Sequence, residues 1–134
     1  MEANEAGADD AMELDLEGYV CEAPGYNVFA VKRGALVTPA DNILMGITRD
    51  TVMELASAAG LPCRPGRVQV FDLYNADEVF LSSTAGGIVP VVQLDGRVIG
   101  TGRAGPITVR LRESYQRLLE SGVNSTPVRA ASRT

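Results

Sequence analysis

The chain has 134 residues, 46% of them apolar, and a net charge of −5, so it suits one modest domain with a buried core and not a general nucleic-acid binder. It holds no histidine, which excludes Ser-His-Asp and Cys-His catalysis within this chain and most transition-metal sites. No apolar run approaches the length of a membrane span and no signal-peptide pattern opens the chain, so a cytoplasmic protein without membrane or nucleic-acid partners is expected.

Residues 1–10 are acidic and helix-friendly and read as the last turns of a helix ending near Gly7. No N-cap precedes them, so the expectation is a chain that begins inside a larger protein. Strands then follow. Ala11–Leu14 and Gly18–Glu22 flank the turn Asp15-Leu16-Glu17-Gly18, a hairpin signal. Tyr26–Val31 alternates sides, and Lys32-Arg33-Gly34 turns the chain into a strand over Ala35–Thr38. Apolar residues at helical spacing (Val52, Leu55, Ala56, Ala59) predict a helix over Thr48–Ala59, with Thr48 as N-cap and Gly60 as the stop. Arg67–Phe71 reads as a strand and Leu73–Ala76 as a short helical turn. Glu78–Ser82 and Val89–Leu94 read as strands, and Asp95-Gly96 as a two-residue hairpin turn into Arg97–Ile99. Pro106 opens a last helix at a position that tolerates proline, with Leu111, Tyr115, Leu118 and Leu119 facing inward. Residues 122–134 carry no periodic pattern and are expected to be a flexible tail. Cys21 and Cys63 match no zinc or redox spacing and read as free thiols, with Cys63 in a proline-flanked loop or strand start.

Three short segments carry chemistry. Gly46-Ile47-Thr48-Arg49-Asp50 stands at a helix start, where free N–H groups and a partial positive charge suit a phosphate. A capped helix and nothing more is the competing reading. Ser82-Ser83-Thr84-Ala85-Gly86-Gly87 follows a buried-looking strand; its amides and the Ser83 and Thr84 hydroxyls can form an anion nest, or it is a plain glycine turn. Glu22 ends a strand before the turn Pro24-Gly25, where a lone glutamate is ordinarily a surface carboxylate, and Asn27 is expected to bond to turn backbone. Together, two phosphate-capable loops and one isolated carboxylate describe a site for an aromatic, phosphorylated cofactor.

Six ordered segments make the pattern specific. Glu22-Ala23-Pro24-Gly25-Tyr26-Asn27-Val28-Phe29, Thr38-Pro39, Gly46-Ile47-Thr48-Arg49-Asp50 and Ala76-Asp77-Glu78-Val79-Phe80 come first. Ser83-Thr84-Ala85-Gly86-Gly87-Ile88-Val89-Pro90 and Gly102-Arg103-Ala104-Gly105-Pro106-Ile107-Thr108 follow. In this order they resemble the class IV aminotransferases, the fold-type IV enzymes that use pyridoxal 5′-phosphate. That family includes branched-chain amino acid, D-amino acid and (R)-selective amine transaminases. The resemblance runs from about residue 2 to residue 120.

The resemblance implies an α/β (α+β) fold, a mixed-strand pseudo-barrel with flanking helices. Residues 1–121 would be part of the C-terminal cofactor-binding domain. It implies that Glu22 faces the pyridine nitrogen of the cofactor. It implies that Ile47 and Thr48 bind the phosphate through backbone amides and the threonine hydroxyl, that Thr84 completes the cradle, and that Leu44 packs beside the ring. The amide at Ala85 resembles the donor to a substrate carboxylate. Arg49 either reinforces the phosphate site or pairs structurally, and Asp50 favours the helix dipole; structural roles are the preferred reading for both. Asp77 and Glu78 are read as fixing their loop, and Gly102, Gly105 and Pro106 as architectural.

The family reaction moves an amino group from an amine or amino acid to a 2-oxo acid, and the enzymes are usually homodimers. It needs a lysine that forms a Schiff base with the cofactor, and by the family pattern that lysine lies upstream of Met1. The one lysine here, Lys32, falls in a hairpin turn and is expected to be exposed. No residue of this chain is therefore assigned the catalytic role. The expectation is a truncated reading of a longer gene, with a split enzyme needing an N-terminal partner and an inactive binding homologue as alternatives. Within the fold, an aminodeoxychorismate-lyase-type elimination is the alternative reaction.

Overall fold

The computed structural model describes residues 12–23, 25–40, 43, 46–84 and 86–121. The helical turns expected over residues 1–10, the positions of Leu44 and Ala85, and the expected tail over residues 122–134 lie outside the described residues.

Among the described residues, nine strands and three helices follow in chain order: β1 Glu13–Leu14, β2 Val20–Ala23, β3 Tyr26–Lys32, β4 Ala35–Pro39, α1 Ile47–Ala58, β5 Cys63–Gly66, α2 Val70–Tyr74, β6 Glu78–Ser83, β7 Gly87–Val91, β8 Gln93–Leu94, β9 Arg97–Val98 and α3 Pro106–Ser121. The sheet is mixed, and it curls into a half-barrel with helices on its flank, as the expected fold class requires. β3 is its spine. On one side β3 pairs with β6, and β6 pairs with β7, both antiparallel. On the other side its two ends take different partners. The start of β3 pairs with β2, which leads on to β1; the end pairs with β4, which runs parallel to β5.

Alternation along β3 divides the core in two. Val28 and Ala30 pack with Val20, Val79, Leu81 and Leu73 on one side. Phe29 and Val31 pack with Phe80, Val52, Ala56 and Leu111 on the other, beneath α1 and α3. Phe29 and Phe80 are fully buried and lie opposite one another in the β3–β6 ladder, with their rings stacked at 5.0 Å. Emptying either position costs about 3–5 kcal/mol in a typical core.

The structure corrects several expectations. Helix α1 begins at Ile47 with Gly46 as its N-cap, so Thr48 is a first-turn residue and not the cap. Its hydroxyl is turned toward another threonine and does not fold back on its own helix. The stretch predicted as a strand over Arg67–Phe71 contains instead the start of α2. Alternation of Val68, Gln69 and Val70 imitates a strand, but the Asp72 carboxylate accepts the Gln69 N–H at 2.8 Å and closes a helix start. The single strand expected over Val89–Leu94 breaks at Val92, whose carbonyl accepts from Ile99, and β8 pairs with β9 in a separate hairpin. Asp95 and Gly96 form its turn, with φ of 52° and 75°. α3 starts at Pro106 as predicted, and the buried Glu78 carboxylate accepts the amides of Ile107 and Thr108 at 3.2 and 2.7 Å. Asp77 accepts the Arg33 amide at 2.8 Å, so both acids fix local structure as expected. Cys21 and Cys63 are free thiols. Among the described residues no helix is long and apolar enough to cross a membrane.

Candidate functional site

Register brings the first polar side chains together. Glu22 lies opposite Asn27 in the β2–β3 ladder, and Asn27 lies opposite Ser82 in the β3–β6 ladder. A row of three polar residues therefore crosses three strands at one end of the sheet. The N-terminus of α1 and the β6–β7 turn stand at that same end. The result is a cavity of about 320 Å³ lined by Glu22, Gly25, Tyr26, Asn27, Gly46, Thr48, Ser82, Ser83 and Thr84.

Glu22, Thr48 and Thr84, three of the residues singled out in the sequence, thus line one cavity. Thr48 is buried, and its Oγ1 lies 3.3 Å from Oγ1 of Thr84, although the two are 36 residues apart in sequence. Asp50 N–H is the first donor of the α1 ladder, bonding to Gly46 O at 3.2 Å. The amides of Ile47, Thr48 and Arg49 precede that ladder and form the electropositive end of the helix. Ile47 is not among the residues that line the cavity, and its side chain is 82% exposed, so any contribution to the site comes from its backbone. Leu44 and Ala85 fall outside the described residues.

The nest expected in the β6–β7 turn is smaller than predicted. Ser83 Oγ accepts the Gly86 N–H at 2.8 Å, so that amide is turned into the loop. Arg49 is 2% exposed and donates to the Pro39 carbonyl at 3.2 Å, with Asp50 at 3.5 Å. It does not line the cavity, and the structural reading of Arg49 and Asp50 stands. Lys32 is exposed at the far end of β3, where it donates to the Asn75 carbonyl at 2.7 Å. The length of the strand separates it from Tyr26 by about 20 Å.

Sequence reasoning gave Tyr26 and Ser82 no role. Ser82 is 1% exposed, and its hydroxyl has no hydrogen-bond partner among the described residues. The available signal was register: Ser82 is directly across from Asn27, which is directly across from Glu22. A larger cavity of about 780 Å³, between Glu13, Tyr19, Pro39 and Arg67, contains none of the predicted site residues.

The lining combines a helix terminus and two hydroxyls, groups that suit an anion, with a half-buried carboxylate, a group that suits a basic atom.

The chain is similar to known proteins over most of its length. The family model for amino-transferase class IV matches residues 1–94. A branched-chain-amino-acid aminotransferase-like protein of Arabidopsis thaliana is 45% identical over 125 residues, covering 92% of this chain and 22% of the relative. The branched-chain-amino-acid aminotransferase of Pseudomonas aeruginosa is 44% identical over 85% of this chain and 38% of its own. The crystal structure of a T.th. branched-chain amino acid aminotransferase with pyridoxamine 5′-phosphate superposes with a TM-score of 0.87 at 44% identity, covering 90% of this chain and 41% of that one. The Escherichia coli enzyme gives 0.84 at 42% identity over 87% of this chain and 40% of its own. The chain therefore spans less than half the length of these relatives.

Proposed function

Because the chain belongs to the class IV aminotransferase family, we propose that the cavity between Glu22, Thr48 and Thr84 holds pyridoxal 5′-phosphate and that the chain is the cofactor-binding part of a transaminase. The observation that carries this reading is the meeting of the Thr48–Thr84 hydroxyl pair with Glu22 in one cavity.

The residues present fit the group. Thr48 and Thr84 donate to phosphate oxygens, and the amides of Ile47 and Thr48 at the start of α1 add the helix's partial charge. Glu22 meets the pyridine nitrogen and holds a proton on it, since a carboxylate at hydrogen-bond distance favours the charged ring. When bound, the cofactor supplies an electron sink for a substrate carbanion. The family resemblance assigns Leu44 to the ring and the Ala85 amide to the substrate carboxylate, and both positions lie outside the described residues. The buried Ser82 hydroxyl keeps its donor for the ligand or for a water at the cavity wall.

The reaction we assign is amino-group transfer between an amine or amino acid and a 2-oxo acid, with branched-chain amino acids favoured by the names of the relatives. Lys32 is bound at the wrong end of β3, so the Schiff-base lysine comes from a further segment or partner chain. The active assembly is a cytoplasmic homodimer, as in the full-length family.

Pyridoxine 5′-phosphate tests the site without any aldehyde for Lys32 to capture. The chain should bind it at least tenfold more tightly than pyridoxine, measured by equilibrium dialysis. Thr48→Ala and Thr84→Ala should each reduce that preference by about 10- to 100-fold, the worth of one hydrogen bond to a charged group. Unchanged affinity in both variants sinks the cradle. Co-expression with the lysine-bearing N-terminal part of the Pseudomonas aeruginosa relative then distinguishes amino transfer from pyruvate-releasing elimination.

A further inference from the structure

Tyr26 and Asn27 are neighbours at the start of β3, yet each meets a different loop of the cavity. Successive side chains of a strand leave on opposite faces. Tyr26 packs against the Val28–Leu81 cluster, while Asn27 sits opposite Ser82. A methyl group added at Gly46 would stand 2.6 Å from Asn27 Oδ1. One added at Gly86 would stand 2.7 Å from the Tyr26 hydroxyl oxygen and 3.0 Å from its ring. Gly46 has a φ of −86° and Gly86 no left-handed φ, so the backbone would accept alanine at both. What crowds a side chain at Gly46 is Asn27, and at Gly86 it is Tyr26 together with Ser83 Oγ at 3.1 Å. Each glycine is two residues from a threonine of the cradle: Gly46 before Thr48, Gly86 after Thr84. The strand beneath is firmly held, with Val28, Phe29 and Val31 at most 1% exposed.

We propose that Tyr26 and Asn27 form a two-sided post on which both loops rest, so that β3 sets the separation of the Thr48 and Thr84 hydroxyls and makes the cavity selective for a phosphate monoester. They are positioning residues. The selectivity half of this inference rests on the cofactor reading above; the positioning half is measured without ligand.

In the full chain with threonine methyls labelled, Thr48 and Thr84 should share a side-chain NMR cross-peak. Gly46→Ala and Gly86→Ala should each abolish it and reduce the preference for pyridoxine 5′-phosphate over pyridoxine about tenfold. Shortening the post should restore both: Asn27→Ser in the Gly46→Ala background, and Tyr26→Leu, which removes hydroxyl and ring together, in the Gly86→Ala background. Rescue by the matched partner is a readout that general destabilisation does not give. Should a single alanine variant fail to fold, folding of its matched pair with the cross-peak present supports the post, and failure of the pair as well overturns it. Retention of both cross-peak and preference in the single variants also overturns it. If the cross-peak behaves as expected but wild-type chain does not discriminate the two ligands, positioning stands and the phosphate-site reading falls.

Discussion

Glu22 stands half-buried on β2, directly opposite Asn27, and is the one carboxylate among the cavity's described lining residues. Glu22→Gln keeps the shape and removes the charge. The ring nitrogen of bound pyridoxine 5′-phosphate should then lose its proton about one to three pH units lower than in wild type. A pH titration of ligand absorbance reads this, and the phosphate preference should hold. At this scale the sequence was informative about residue types. A glutamate before a Pro-Gly turn and threonines in glycine-flanked loops announce chemistry by what they are. Tyr26 against Gly86 announces nothing, because the contact exists only once strands distant in sequence have paired.

The same division runs through the elements. Helices α1 and α3 were legible from apolar spacing and from Pro106, although Leu119, expected to face inward, is 56% exposed and Thr108 is buried instead. β5 was legible only as one of two readings at Cys63, because Arg64, Pro65 and Gly66 carry no strand pattern, and it exists by lying parallel to β4. Non-local pairing overrode propensity there. α3 in turn depends on Glu78 of β6. Removing that carboxylate strands two helix-terminal amides, so Glu78→Ala should destabilise the chain by roughly 2–4 kcal/mol in urea melts, and Glu78→Gln by less. Asp77 beside it titrates with the fold. The Arg33 amide hydrogen bond, aided by the Lys32 ammonium, holds its carboxyl below the usual carboxylate value. The unfolded chain thus takes up this proton at higher pH than the folded chain. The stabilisation is complete above the ordinary carboxylate pKa and is lost as pH falls through the lower folded value. Asp77→Asn should therefore flatten the drop in Tm on acidification below pH about 4.

Across the whole molecule, β1 is the outer strand on the β2 side of the sheet. Leu14 is 49% exposed and Leu16 fully so. The other outer strands, β5 and β7, carry Pro65 and Pro90, which discourage further pairing. Self-association through the open β1 edge should thus involve these leucines, whereas the exposed Phe71, Val98 and Leu119 lie off that edge. Leu14→Lys with Leu16→Lys should lower the weight-average mass in sedimentation velocity and leave Tm nearly unchanged.

The pairing of β3 with β6 also has a consequence in time. Asn27 and Ser82 are joined by a loop of more than fifty residues, whereas the β2–β3 and β3–β4 hairpins close locally. Long loops close late, after local contacts are made. Thr48 and Thr84 come within reach of one another only after that closure, so a refolding chain should regain hairpin structure before it can capture a phosphorylated ligand. Affinity for such a ligand then becomes a stopwatch for the last step of folding, and added ligand should slow unfolding more than it speeds refolding.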